Sequence, residues 1–108
     1  MTVEFKRLFR IIGFRFDALS VLLLCQHFSI DLSEIEKIPA AEYIPAWCWC
    51  AHRSYQMYKR KKDKLTLIKT KKFIARMRKE EWDRMLEAIH STQVSKKKAE
   101  EASAGGNY

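Results

Sequence analysis

Two cysteines and a histidine stand close together near the middle of the chain, and their spacing raises the question of chemistry there. Cys48 and Cys50 form a C-x-C pair, and His52 follows four residues after Cys48. A structural zinc site normally takes four ligands from paired cysteine knuckles, and the sequence offers only this one cluster. On a helix the two cysteines point to different sides. We therefore expect no metal and no cofactor, and two buried thiols instead.

Nucleophilic catalysis at the same residues has little support. A Cys–His pair needs a third group that orients the base, and backbone donors that stabilise an oxyanion. Cys48 and His52 lie within helical reach of each other, yet no glycine-rich turn stands near them. The chain also lacks a phosphate loop, a dinucleotide-binding fingerprint and an HExxH motif. We therefore expect no catalytic residues and no enzymatic activity.

The segment around these residues is the most aromatic part of the chain. We predict one helix there, entered at Pro45, because proline suits a first helical turn. Trp47, Ala51, Tyr55 and Tyr58 recur at helical spacing and form one face. The pattern places Trp47 and Ala51 in the core. Tyr55 and Tyr58 fit either the core or a partner-binding surface, because exposed aromatic side chains are enriched at interfaces.

Helical periodicity covers most of the remaining chain, which has only three glycines and two prolines to interrupt it. The pattern predicts an amphipathic helix over 3–12, a strongly apolar helix over 18–28 capped by Asp17, a helix that begins after Thr66 and a final helix around 82–89. In the second of these helices, the residues expected in the core are Leu19, Leu22, Leu23 and Phe28.

These elements predict an all-α fold, a small single-domain bundle of about four to five helices over residues 1–92. Residues 95–108 have no large apolar side chain apart from the terminal Tyr108, so we expect a disordered tail over 93–108. The longest apolar run is far shorter than the ~20 residues of a membrane span, and no secretory signal precedes the cysteines. We expect a cytoplasmic protein without membrane association.

Charge is distributed unevenly along the chain. Residues 53–79 contain twelve Lys or Arg residues and one acid, Asp63, whereas the whole chain has a net charge of +8. Such a segment suits an acidic partner, and its interleaved aromatic residues fit phosphate contact with base stacking. A small basic nucleic-acid-binding protein is therefore one hypothesis. The alternative is a solvated helix face, since few side chains in this segment would read base edges.

The order of features resembles the small tail assembly chaperones of long-tailed bacteriophages and their prophages. The similarity covers about residues 5 to 90. The residues that carry it are Gly13, Phe14, Phe16, Asp17, Leu22, Leu23, Ile30, Leu32, Ile44 and Trp47. The Lys/Arg richness of 59–79 is not typical of that family.

The resemblance implies an all-α, non-enzymatic protein. It would bind a long helical tape-measure protein in the infected cell, keep it soluble and help tail-tube proteins polymerise around it. A groove for hydrophobic helical faces would serve that role. The residues we expect to contact the partner are Tyr55, Tyr58, Trp82, Arg53, Lys59, Arg60, Lys61 and Lys62. The sequence leaves homo-oligomer formation open.

Overall fold

The computed structural model of the chain describes the backbone of residues 1–105 and the side chains of residues 1–92. Within these residues it contains a two-stranded antiparallel sheet and five helices, so the all-α prediction is wrong. The elements are β1 (Thr2–Arg7), β2 (Arg10–Arg15), α1 (Ala18–Phe28), a 3-10 helix (Leu32–Lys37), α2 (Ala40–Tyr58), α3 (Leu67–Ala75) and α4 (Lys79–Gly105). The side chains of residues 93–105 and all of residues 106–108 lie outside the described part of the chain. The disordered tail predicted over 93–108 therefore stays a prediction.

The segment predicted as an N-terminal helix is a β-hairpin. Its strands pair from Thr2↔Arg15 at the open end to Arg7↔Arg10 beside the turn. The helical spacing of residues 5, 8, 9 and 12 competes with a strand pattern, in which alternate residues face one side. The segment forms strands because this arrangement places its inward-facing residues in the core. These buried residues are Val3, Phe5, Ile12 and Phe14.

Helix α1 begins where the sequence predicts. Asp17 caps it, because Asp17 Oδ1 accepts from the Ser20 N–H at 2.9 Å and the Asp17 N–H donates to Ser20 Oγ at 3.0 Å. The predicted core residue Leu23 is buried, and Leu24 is buried beside it. Leu19 and Leu22 were wrongly placed in the core. They are 36% and 54% exposed, because only one side of α1 packs against the rest of the chain.

Helix α2 begins earlier than predicted. It begins at Ala40, so Pro45 lies inside the helix rather than at its entrance. Trp47 and Ala51 are buried, which confirms their place in the core. The helix ends at Tyr58, and Arg60 then adopts a left-handed conformation with φ of 55°. Hydrogen bonds from the backbone N–H groups of residues 60 and 61 close the last turn.

Helix α2 packs on β2 through close contact with Gly13. A Cβ atom at Gly13 would lie 2.3–2.5 Å from ring atoms of Tyr55, so only glycine fits beneath this ring. The Tyr55 hydroxyl reaches across the sheet and donates to Glu4 Oε2 at 2.5 Å. Glu4 is the residue that pairs with Gly13 in the sheet. His52 adds a third contact, because its Nδ1 lies 3.0 Å from the Gly13 carbonyl oxygen.

Helix α3 is capped by Thr66, as predicted, and α4 runs along the hairpin from its turn to its open end. Glu81 at the start of α4 forms an ion pair with Arg7 at 2.8 Å, and Arg84 donates to the Glu4 carbonyl at 3.1 Å. Thr92 Oγ1 lies 3.4 Å from the Phe16 carbonyl, beyond the end of β2. Glu81 is only 9% exposed because it meets Arg7.

We predict that Gly13→Ala destabilises the fold by about 1–3 kcal/mol, the usual cost of forcing an extra methyl group into a packed site. Urea unfolding would measure the change. The matched control is the same substitution in a Tyr55→Ala background, where the ring is absent and the cost should fall toward zero. An equal cost in both backgrounds would show that the ring is not the constraint.

Candidate docking groove

The cysteines and histidine of α2 are built into the core. Cys48 and Cys50 are fully buried, and burial raises the pKa of the Cys48 thiol to about 12 and that of Cys50 to about 11. Both groups are therefore protonated near neutral pH and are poor nucleophiles and metal ligands. Among the residues that the structure describes, no three His, Cys, Asp or Glu side chains converge on a point where a metal ion could bind.

His52 holds two segments of backbone together instead. One ring nitrogen contacts the Gly13 carbonyl, and Nε2 accepts a hydrogen bond at 3.1 Å from the backbone N–H of Lys64. This arrangement assigns the proton to Nδ1 of a neutral ring, because Nε2 acts as an acceptor. Burial lowers the pKa of His52, so the neutral form is favoured further.

The three aromatic residues predicted to bind a partner lie in different environments. Tyr55 is 6% exposed, and burial together with its bond to Glu4 raises its pKa to about 12. Trp82 is half-buried against the core. Tyr58 is 64% exposed, with the Arg15 guanidinium 4.1 Å from the centre of its ring. Of the three, Tyr58 presents the most open surface.

The predicted basic residues lie mainly at the surface near the end of α2. Arg53 is half-buried and sits over the Trp49 ring at 5.1 Å, with Asp63 3.9 Å from its Nε atom. The exposed members of the set are Lys59, Arg60, Lys61 and Lys62. These cations follow Tyr58 directly at the end of α2, whereas Trp82 belongs to a different helix, α4.

A large concave surface lies elsewhere, between α1, the 3-10 helix and the end of the hairpin. We call it the docking groove; its volume is about 1490 Å³, more than the ~300–1,000 Å³ of a small-molecule pocket. Its floor contains Phe16 and Trp47, whose rings meet edge to face with centroids 5.5 Å apart. Trp47 Nε1 also donates to Ser20 Oγ at 3.1 Å, which fixes the indole in place. The groove can therefore hold a peptide segment against a rigid apolar floor.

The walls of the docking groove combine exposed apolar side chains with carboxylates. Leu22 on α1 and Leu32 on the 3-10 helix are 54% and 38% exposed. The acidic residues around the groove are Asp17, Asp31, Glu34 and Glu36. The Met1 amino group also lies there and donates to the Phe16 carbonyl, but none of the described lining residues is Lys or Arg. The groove therefore favours an apolar segment that carries cations.

Sequence reasoning missed the docking groove because it placed Leu22 in the core. A signal was present in α1, where residues 21–24 are all apolar and cannot all face one side of a helix. An apolar helix of this kind is either surrounded by protein or leaves part of its surface for a partner. Sequence alone does not separate these two cases, since the surrounding elements decide between them.

We predict that acid destabilises the protein through His52. The folded-state pKa of His52 lies below its unfolded value of about 6.5, so its contribution is complete above about pH 6.5 and is lost as pH falls below it. The free energy of unfolding should drop by up to ~1.4 kcal/mol per pH unit in this window. Denaturant unfolding between about pH 7 and pH 5 would measure it.

The matched control is His52→Gln, which removes the titrating group and retains a donor and an acceptor. Its free energy of unfolding should depend less on pH in the same window. His27 and His90 are exposed and present in both proteins, so they do not account for a difference between them. The Glu81 carboxylate does not affect this comparison. Its hydrogen bond with Arg7 lowers its pKa, so the stability that it contributes is lost only at more acidic pH. If the free energy of unfolding depended on pH equally in the two proteins, His52 would not be the group responsible.

Comparisons with known proteins assign no family to the chain. No protein-family model, no curated protein and no solved structure matches it. Within the described part of the chain, no helix combines the length and apolar character needed to cross a membrane. The case for function therefore depends on the surfaces described above and on the resemblance seen in the sequence.

Proposed function

We propose that this protein is a non-enzymatic assembly chaperone of the phage-tail type. In this proposal the docking groove holds an apolar helical segment of a tape-measure protein and keeps that protein soluble until tail-tube proteins polymerise around it. The observation that carries the proposal is the docking groove, an apolar concavity of about 1490 Å³ with carboxylates along its sides. A long helical protein with exposed apolar faces needs such a cover before assembly.

The chemistry of the groove defines the segment that it would accept. Leu22 and Leu32 present apolar surface that a matching helix would remove from water, with a gain of roughly 25 cal/mol per Å². The carboxylates of Asp31 and Glu36 are exposed beside them and would meet Lys or Arg residues at the edges of that helix. We therefore propose an amphipathic partner with cations beside its apolar stripe.

The proposal places the principal contact away from the aromatic residues chosen from the sequence. Tyr55 is committed to the sheet through Gly13 and Glu4, and it offers little surface to a partner. Tyr58 and the cations that follow it form a separate exposed surface, suited to acidic stretches of the same partner. The two surfaces would engage segments of opposite charge.

We predict that co-expression with a tape-measure protein encoded beside this chain's gene increases the soluble fraction of that protein. The variant Leu22→Ser/Leu32→Ser should lose this effect, because it removes apolar contact from both walls of the groove. Binding of the tape-measure segment should weaken by about tenfold or more, since ~1.4 kcal/mol corresponds to a tenfold change in Kd. Isothermal titration with a tape-measure fragment would measure it.

The matched control is Met57→Ser/Ile68→Ser. These residues are 55% and 67% exposed and are not among the groove residues, so the variant loses comparable apolar surface elsewhere. It should bind the tape-measure fragment as the unmodified protein does. Unchanged solubility of the tape-measure protein, or equal losses in both variants, would argue against the proposal.

A basic nucleic-acid-binding protein is the second candidate function. The observation that favours it is the position of Tyr58, which is 64% exposed directly before the exposed run 59–62. Lys59 Nζ lies 5.8 Å from the Tyr58 ring centre, so a cation and an aromatic face are presented together. This combination suits non-specific contact with single-stranded nucleic acid by phosphate attraction and stacking.

We predict for this candidate that affinity for single-stranded oligonucleotides falls steeply with salt. Replacing residues 59–62 with Gln should reduce the slope of log K against log salt by about three, since each phosphate contact adds ~0.7 to it. Fluorescence anisotropy would measure the slope. The groove variant Leu22→Ser/Leu32→Ser is the control and should bind nucleic acid normally. An affinity that changes neither with salt nor on replacement of these four residues would eliminate the nucleic-acid-binding candidate.

A further inference from the structure

The turn of the hairpin exposes two large apolar side chains. Leu8 and Phe9 are the two residues between the paired Arg7 and Arg10, and they are 90% and 94% exposed. Turns of this length are usually made of Gly, Asn or Asp, which favour the backbone geometry and tolerate water. Nothing in the packing of the fold requires a leucine and a phenylalanine here. We call this pair and its flanking cations the hairpin tip.

Cations surround the hairpin tip. Lys6 and Arg10 are exposed on its two sides, and Arg7 is half-buried against Glu81 and the Phe73 ring. Lys64 adds a further cation, with its Nζ atom 3.5 Å from the Ile11 carbonyl. The described residues of the turn, 6–11, include no acidic residue. The tip is therefore an apolar projection with positive charge around it.

The hairpin tip and the docking groove are complementary in shape and charge. One is a convex apolar pair between Lys6 and Arg10, and the other is an apolar concavity with Asp31, Glu34 and Glu36 around it. An apolar anchor that enters a pocket, with opposite charges at the rim, is the usual arrangement of a specific protein interface. Each surface thus has the features that the other needs in a partner.

The two surfaces lie at opposite ends of the hairpin. The groove includes Met1 and Phe16 at the open end, whereas the tip closes the other end after six paired residues on each strand. The six residues of each strand span five intervals of ~3.4 Å, so the two ends of the hairpin lie about 17 Å apart. The tip of one molecule therefore cannot enter its own groove, and the contact has to join two copies.

We propose that this protein associates with itself head to tail, with Leu8 and Phe9 of one copy inserted in the docking groove of the next. Such an interface uses two different surfaces, so each added copy leaves one tip and one groove available. Association then continues into chains or closes into a ring. The inference goes beyond the proposed function but uses the same groove, so a second copy would compete there with a tape-measure segment. The experiment below uses the purified protein alone, so its outcome does not depend on the tape-measure partner.

Sedimentation velocity over a concentration series of the purified protein tests the proposal. Oligomers should grow with concentration. Leu8→Ser/Phe9→Ser and Leu22→Ser/Leu32→Ser should each weaken association by roughly tenfold or more, since both remove buried apolar surface. Met57→Ser/Ile68→Ser is the matched control and should associate normally. Circular dichroism and thermal unfolding would verify that all variants fold, as expected for exposed positions.

Mixing the two defective variants is the decisive arm of the experiment. The tip variant retains an intact groove and the groove variant retains an intact tip, so a mixture should form a one-to-one pair that grows no further. A symmetric contact between two tips or two grooves would not produce such a pair. A mixture that stays monomeric, or a tip variant that associates as the unmodified protein does, would overturn the proposal.

A charge-exchange pair and a vesicle assay complete the test. Lys6→Glu/Arg10→Glu should weaken association, and mixing it with a copy that carries Asp31→Lys/Glu34→Lys should restore it in part. An exposed apolar tip with cations can also bind an anionic membrane surface. If unmodified protein stays monomeric while its flotation with phosphatidylserine vesicles depends on Leu8 and Phe9, the tip binds lipid and the proposal of self-association is wrong.

Discussion

The contact of α2 with Gly13 is the constraint on which the rest of the structure depends. The Tyr55 ring occupies the space that any other side chain at Gly13 would need, and its hydroxyl reaches Glu4 on the neighbouring strand. His52, one turn earlier, binds the Gly13 carbonyl and the backbone of Lys64. One helix thus attaches to both strands and to the segment that leads into α3. With the hairpin in place, its outer residues Arg7 and Glu4 meet α4.

Local signals in the sequence were sufficient to predict where α1 and α3 begin. Asp17 and Thr66 cap their helices through bonds to residues three positions later, so a short sequence window contains all the information. The hairpin could not be predicted in this way. Its two strands become stable only when α2 and α4 cover them, and the same residues also fit a helical period. Residues 3–12 were therefore predicted as a helix, and the role of Gly13 beside them, which is to admit the Tyr55 ring, has no local signal.

The candidate site was harder to predict than the fold, and for a related reason. A core residue and a groove residue can have the same sequence environment, as Leu23 and Leu22 show on adjacent positions of α1. What separates them is whether a neighbouring element fills the space beside the helix. Tyr55 shows the converse case: the sequence left it open between the core and a partner surface, and it is 6% exposed and held by Glu4, 51 residues away. Long-range pairing of this kind has no local signature.

The distribution of charge affects how the two proposed occupants of the groove, a tape-measure segment and the hairpin tip of a second copy, compete. The chain has a net charge of +8, so two copies repel one another at distances where only net charge matters. The attraction between Lys6 or Arg10 and the groove carboxylates acts only at close range. At physiological salt, where the screening length is ~8 Å, the long-range repulsion is largely removed while close charge pairs are screened less. Self-association should therefore be weak at low salt and strongest at intermediate salt. A partner of lower net positive charge would meet less of this repulsion when it competes with the second copy for the groove.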